Sequence, residues 1–246
     1  MNTQHRFQLD FQKTSEYCVK HNESKIQIGG RTVCKSCCIE SVQVGNKKHQ
    51  DQVDHSIREK HFASAMLPTR YADCGFKNYN ITNDGQRISK AECLNFARTI
   101  ISGGSKNLVM TGRTGTGKTH LACAVARNVM NNKKYARYIT SEDMATDVSN
   151  AWKKADDSEA SAIYRYTEYD LLIIDEYGLH DQHESRLQLV HKVLYSRYDA
   201  KKPTMIISNF TLAELRNSLG DRLWSRLQHD GLIQVECNWA DARLSA

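Results

Sequence analysis

Short apolar runs alternate with longer amphipathic segments from about residue 107 onward. The apolar runs predict five strands, Leu108–Met110, Ala136–Thr140, Leu171–Ile174, Thr204–Ile207 and Leu232–Cys237. The segments between them carry apolar residues at helical spacing, as in a predicted helix over 184–198. Strands that alternate with helices favour an α/β fold, a parallel sheet with helices on both faces.

The pattern differs at the two ends of the chain. Residues 26–33 predict a short hairpin, because Gly29 and Gly30 tolerate the positive φ of its turn. Residues 46–66 are mostly polar with apolar residues at roughly helical spacing, which predicts a helix. Near the other end, the capping box 211–214 begins a helix that Gly220 closes, and a further helix is expected over 221–227.

Composition and charge limit the class of protein. The net charge is +6, with the basic excess concentrated in residues 1–70, and this predicts weak attraction to polyanions. No apolar run approaches the roughly 18 residues of a membrane span, and the N-terminus lacks the apolar core of a signal peptide. We therefore expect a cytoplasmic protein without a membrane partner, in which the eight cysteines stay reduced.

The segment after the first predicted strand matches the phosphate-binding pattern GxxxxGK[ST]. Its residues are Gly112, Arg113, Thr114, Gly115, Thr116, Gly117, Lys118 and Thr119. Backbone N–H groups of such a loop point into one concavity at a helix N-terminus, where phosphates bind. Lys118 is expected at the β- and γ-phosphates of ATP, and the hydroxyl of Thr119 at the bridging Mg²⁺. The alternative is a surface turn rich in Gly and Thr.

Two further strands end in polar residues that suit nucleotide hydrolysis. Asp175 follows four apolar residues and is expected to hold the Mg²⁺ hydration shell, while Glu176 orients and polarises the attacking water. The alternative is a pair of solvated acids in a turn. Asn209 follows the next strand and is the candidate γ-phosphate sensor, although Asn is also common as a turn cap.

A second candidate site lies near the N-terminus. Cys18 and His21 form one ligand pair and Cys34 and Cys37 another, a spacing that suits a tetrahedral structural zinc ion. Cys38 is the alternative fourth ligand, and Cys37 is preferred because it completes the CxxC spacing. Four protein ligands leave no position for water, so an interaction platform is expected. The competing interpretation is three unconnected thiols and a surface histidine.

The chain is therefore expected to have three parts. They are a zinc-binding partner-interaction module at 1–45, a helical linker at 46–70 and an ATPase domain without a substantial helical lid at 71–246.

These motifs together resemble those of the AAA+ ATPases, and more closely the DnaC-like helicase loaders and the related IstB transposition helpers. The resemblance covers residues 70–246 and includes a short lead-in at 74–79. It implies an arginine finger, with Arg226 preferred over Arg222, and a contact of Arg243 with the γ-phosphate. Either candidate finger is otherwise an ordinary surface cation. A finger acts in trans, which implies self-assembly or several copies on a hexameric helicase.

The resemblance implies an ATP-dependent loader that places a DnaB-type replicative helicase on single-stranded DNA. The better known loader begins with a helical helicase-binding region, whereas an N-terminal zinc module resembles phage and prophage members of the group. Two alternatives stay open: an IstB-like transposition helper that acts on DNA, and a P-loop small-molecule kinase. The kinase is disfavoured because the zinc pairs precede the P-loop and because Asp175 and Glu176 suit attack by water.

Overall fold

The computed structural model describes residues 12–179 and 184–241. The chain divides into two compact units between Ser56 and Ile57.

The first unit contains a small antiparallel sheet followed by a helix. Its strands, in the order β1-β2-β3, are β1 (Gln12–Cys18), β2 (Glu23–Ile28) and β3 (Arg31–Val33). The predicted hairpin is confirmed, since Ile28 pairs with Arg31 around two glycines of positive φ. Helix α1 (Lys35–Ala65) begins before residue 46 and continues beyond Ser56, through most of the segment expected to be a linker.

The second unit alternates helices and strands. Its elements are α2 (Asp84–Ile101), β4 (Asn107–Gly112), α3 (Lys118–Asn131), β5 (Ala136–Thr140), α4 (Ser141–Asn150), α5 (Glu159–Arg165), β6 (Leu171–Asp175), α6 (Glu184–Asp199), β7 (Thr204–Ile207), α7 (Leu212–His229) and β8 (Leu232–Cys237). Short 3-10 turns lie at Thr69–Tyr71 and Ala151–Lys153.

The five strands β4–β8 form a parallel sheet in the order β5-β6-β7-β4-β8. Alternate residues of each strand face opposite sides. Leu171 and Ile173 of β6 therefore pack with α2 and α3, whereas Leu172 and Ile174 pack with α4, α6 and α7. Burial on both faces explains the continuous apolar runs in the sequence. The predicted fold, a parallel sheet covered by helices on both faces, is confirmed.

Two helical features refine the sequence prediction. Helix α2 was not predicted, although Asn83 caps it by accepting a hydrogen bond from Gln86 N and its buried residues have helical spacing. Helix α7 is assigned as one element, but Gly220 has φ 73° and ψ 156°, so the helical conformation breaks where a glycine stop was predicted. The predicted capping box, Thr211 with Glu214, is present.

A buried arginine holds one end of the sheet together. Arg197 is 0% exposed and donates hydrogen bonds to the carbonyl oxygens of Tyr166, Tyr169 and Pro203 and to the hydroxyl of Thr204. Burial lowers the pKa of its guanidinium to about 9, but the group keeps its charge at neutral pH. Its long side chain thus joins α6, the loop before β6 and the start of β7.

Within residues 12–179 and 184–241, no helix has the length and apolar character needed to span a lipid bilayer.

Candidate functional site

The phosphate-binding loop connects β4 to α3, as the sequence predicts. Gly112 ends β4 with φ 127°, and a Cβ atom there would lie 2.2 Å from the carbonyl oxygen of Cys237 on β8. No other residue fits so close to the neighbouring strand. Gly117 has φ 88° at the N-cap of α3, so the loop residues 113–117 curl directly into the N-terminus of that helix. This is the geometry of an anion site.

Lys118 is buried at the base of this loop. Its Nζ donates to the carbonyl oxygens of Gly112 and Arg113 at 2.7 and 2.8 Å. A third hydrogen bond, of 2.9 Å, reaches Asn209 Oδ1 at the end of β7. The predicted sensor and the predicted phosphate-binding lysine are thus in direct contact, across 91 residues of sequence.

Asp175 is held by three donors at the carboxyl end of β6. Its Oδ2 accepts from Thr119 Oγ1 at 2.9 Å and from Tyr138 Oη at 2.6 Å, and its Oδ1 accepts from Glu176 N at 2.7 Å. A hydroxyl and a carboxylate oxygen so placed fit Mg²⁺, which is bound by few protein oxygens together with water and phosphate.

Tyr138 was not identified from the sequence. It lies on β5, beside β6 in the sheet, and burial raises the pKa of its hydroxyl, which therefore stays a donor to Asp175. A tyrosine two residues before the end of a strand carries no motif. The register of β5 and β6, in which Thr140 pairs with Asp175, is what brings Tyr138 to the carboxyl edge of the sheet beside Asp175.

Glu176 is exposed and has a left-handed backbone, with φ 55°. Tyr177, the next residue, is buried and donates its N–H to Ile207 O at 2.9 Å, which fixes the chain after the turn. Its hydroxyl contacts Nε2 of His191, on α6, at 2.8 Å. The turn leaves the carboxylate of Glu176 on the surface of the cavity beside the phosphate loop.

One cavity collects most of the predicted nucleotide residues. It is lined by Thr114, Gly115, Thr116, Gly117, Lys118, Thr119, Asp175, Glu176 and Asn209. Gly112 and Arg113 line an adjoining depression, again with Asn209. Four residues that the sequence analysis did not assign, Arg70, Tyr71, His120 and Ser208, complete the cavity wall.

The predicted arginines occupy different environments. The guanidinium of Arg226 lies over the rings of Tyr195 and Tyr198 on α6, 4.7 and 5.1 Å from their centroids. Arg222, one turn earlier on α7, is exposed. Arg243 lies outside the described residues. The roles of all three remain predictions.

The four predicted zinc ligands lie together in the first unit. Their ligand atoms are within 4.8 Å of one another, with Cys18 Sγ 3.7 Å from Cys37 Sγ and with His21 Nδ1 3.4 Å from both Cys34 Sγ and Cys37 Sγ. Tetrahedral zinc requires about 3.8 Å between two sulfurs and about 3.5 Å between sulfur and nitrogen. Cys38 is exposed and is not in this group.

The carboxylate of Glu40 supports this cluster from outside. Glu40 Oε1 lies 2.9 Å from His21 Nε2, which leaves Nδ1 facing the sulfurs. Such a pair fixes the ring orientation of a metal-binding histidine. The backbone N–H of His21 lowers the pKa of the Cys18 thiol, whereas burial raises the pKa of Cys34. The donor set therefore fits a structural zinc ion.

Comparison with known proteins agrees with the nucleotide site. The family described as IstB-like ATP binding protein matches residues 43–237. The replicative helicase loader DnaC of Escherichia coli K12 is 25% identical over 185 residues, or 75% of each chain.

Two solved structures show the same fold. The DnaC helicase loader has a TM-score of 0.61 at 20% identity, covering 68% of this chain and 99% of that one. The replication initiator DnaA bound to AMPPCP and single-stranded DNA has a TM-score of 0.57 at 22% identity, covering 70% of this chain and 51% of that one. Because the family match spans more than half of its length, the chain belongs to the IstB-like ATP-binding proteins, AAA+ ATPases related to the DnaC helicase loader.

Proposed function

We propose that this protein uses ATP to place a DnaB-type replicative helicase on single-stranded DNA. The observation that carries the proposal is the contact between Lys118 and Asn209, next to Asp175 and Glu176, in a chain similar to the replicative helicase loader DnaC. A site with both a γ-phosphate sensor and a water-polarising acid serves a switch that ATP sets and hydrolysis resets.

The chemistry follows from the contacts within this site. Lys118 exchanges its hydrogen bond with Asn209 for the β- and γ-phosphates, which frees the Asn209 amide to report on the γ-phosphate. Thr119 and Asp175 would hold Mg²⁺, which neutralises the charge on the phosphates when bound. Glu176 accepts a proton from the attacking water, and its exposed side chain is accessible to that water.

We assign contact with single-stranded DNA to exposed aromatic residues of the ATPase unit. Trp152 and Tyr164 are each 63% exposed, and Lys153 and Lys154 follow Trp152 directly. Exposed aromatic rings stack on bases of any sequence, and neighbouring cations contact the phosphates.

We assign binding of the helicase to the zinc-binding module. A bound zinc ion would supply the folding energy that so small a sheet lacks. The module also exposes apolar side chains, since Tyr17, Val19, Ile39 and Val42 are 59%, 99%, 47% and 61% exposed. An apolar surface of this kind suits a protein partner.

An IstB-like transposition helper is the second candidate, because the matching family is described as IstB-like ATP binding protein. Both candidates act in the cytoplasm as ATPases with DNA, and both use a finger in trans. They differ in the protein partner.

The discriminating experiment is capture of the host replicative helicase by the purified full-length protein, followed by helicase loading on a circular single strand. We expect ATP-dependent loading by the wild type and none by Lys118→Ala, which still carries the zinc module and should still capture helicase. Trp152→Ala should capture helicase but load it poorly. Absence of helicase capture, together with ATP-dependent binding of duplex DNA, would replace the loader by the transposition helper.

A further inference from the structure

The segment that follows β8 lies against the phosphate-binding loop. Trp239 Nε1 donates a 2.9 Å hydrogen bond to the carbonyl oxygen of Thr116, across 123 residues of sequence. Thr116 lies within the loop, immediately before Gly117 and Lys118. The contact therefore joins the edge of the sheet to the part of the loop that surrounds phosphate.

The indole fixes the direction of one peptide group. The C=O of Thr116 and the N–H of Gly117 belong to the same planar trans peptide and point in opposite directions. A donor that holds the carbonyl outward, toward Trp239, therefore turns the Gly117 N–H toward the inside of the loop. Gly117 lines the nucleotide cavity, where this N–H is one of the donors to phosphate.

Two further contacts keep the indole and its neighbour in place. The ring packs on Gly85 in the first turn of α2, where an added Cβ would lie 3.1 Å from two ring carbons. Asp241 lies against Gly115, so closely that a Cβ on this glycine would be 1.8 Å from Asp241 Oδ1. Two adjacent loop residues, Gly115 and Thr116, are thus in contact with one short segment.

We propose that Trp239 is a positioning residue for nucleotide binding, which presets the Thr116–Gly117 peptide so that its N–H meets the β-phosphate. The loop has several conformational choices, because three of its residues have positive φ. A flexible glycine loop loses conformational entropy when it is ordered around phosphate. A hydrogen bond from Trp239 that orders the loop beforehand reduces this loss on binding. The proposal requires nucleotide binding at the loop but does not depend on which protein or DNA the ATPase serves.

The first test is Trp239→Phe, which keeps an aromatic ring on Gly85 but removes the N–H donor. ADP and ATP affinity should both fall, by about 2- to 10-fold, the range expected for one neutral hydrogen bond. The matched control is Tyr135→Phe, which removes the hydroxyl donor of a tyrosine that is 49% exposed and outside the lining of the nucleotide cavity, and which should bind ADP like the wild type.

Measuring both ADP and ATP distinguishes positioning of the loop by Trp239 from a direct contact of the C-terminal segment with the γ-phosphate. The loop surrounds the β-phosphate, which ADP retains, whereas Arg243 is predicted to contact the γ-phosphate. Wild-type ADP affinity in Trp239→Phe, or a loss confined to ATP, would overturn the proposal.

A spectroscopic measurement on the wild type covers the case in which Trp239→Phe does not fold. The three tryptophans can be labelled with 5-fluorotryptophan and assigned by single replacement of Trp152 and Trp224. The remaining ¹⁹F resonance, that of Trp239, should shift on addition of ADP. A resonance that stays unchanged at saturating ADP would contradict the proposal.

Discussion

Replacing Tyr138 with phenylalanine should weaken the magnesium-dependent part of nucleotide binding. The phenol is 8% exposed and donates a 2.6 Å hydrogen bond to Asp175 Oδ2, the oxygen that also accepts from Thr119. Phenylalanine fills the same space but provides no donor. Asp175 then keeps only the hydroxyl of Thr119 and the N–H of Glu176, and its carboxylate can rotate away from the metal position.

The size of the effect follows from the charge of the acceptor. Hydrogen bonds to charged groups contribute about 1.5–3 kcal/mol, which corresponds to roughly a 10- to 150-fold change in affinity. Outer partners of metal ligands show a similar range, about 10- to 100-fold. We therefore expect the Mg²⁺ concentration for half-maximal nucleotide binding to rise at least about tenfold in Tyr138→Phe.

The assay is a titration of Mg²⁺ at constant ATP analogue, followed by nucleotide binding and repeated in EDTA. In EDTA the variant should bind like the wild type, because Lys118 and the loop are unchanged. Tyr166→Phe is the matched control: this tyrosine is 4% exposed and donates a 2.8 Å hydrogen bond to Asp147 Oδ2, away from the nucleotide cavity. Equal Mg²⁺ dependence in Tyr138→Phe and the wild type, or an equal loss in both variants, would refute the reasoning.

Three other predictions concern zinc, the finger and stability. Purified protein should contain about one zinc per chain. Elemental analysis should show that Cys34→Ser loses this zinc and that Cys38→Ser retains it. Zinc-free protein with an intact fold would contradict the zinc site. Arg226→Ala should lower ATPase activity of the assembled protein by ~1000-fold while ADP binding persists; the same result in Arg222→Ala alone would move the finger to residue 222. Arg197→Met should lower the free energy of urea unfolding by about 3 kcal/mol or more, because it removes the guanidinium donor from three carbonyl oxygens in and beside the core. A loss below about 1 kcal/mol would show that water replaces the guanidinium.

The strands and the phosphate loop could be predicted because their signals are local. Strands in the middle of a parallel sheet are apolar on both sides, so Leu171–Asp175 and Thr204–Ile207 stand out from any neighbouring segment. The loop needs glycines at fixed spacing before a lysine, a pattern that few other structures share. The cysteine and histidine pairs are also local, with only the hairpin between them.

The missed residues depend on which strands are neighbours. Tyr138 contacts Asp175 only because β5 lies beside β6, and Trp239 reaches Thr116 only because β8 lies beside β4. A single sequence contains the strands but not their order. Arg197 was missed for a related reason: on the sequence it is one of several cations in a helix, and only the fold places carbonyl oxygens around it.

The position of β4 in the sheet has a consequence for biosynthesis. Both of its neighbours, β7 and β8, are translated long after the phosphate loop. When residues 112–119 leave the ribosome, Asn209 and Trp239 have not yet been translated. Strand β8, which pairs with Gly112, is also still missing. Contacts this distant in sequence also form late in folding. With the proposed roles of Asn209 and Trp239, we expect full nucleotide affinity only in chains in which β8 has joined the sheet.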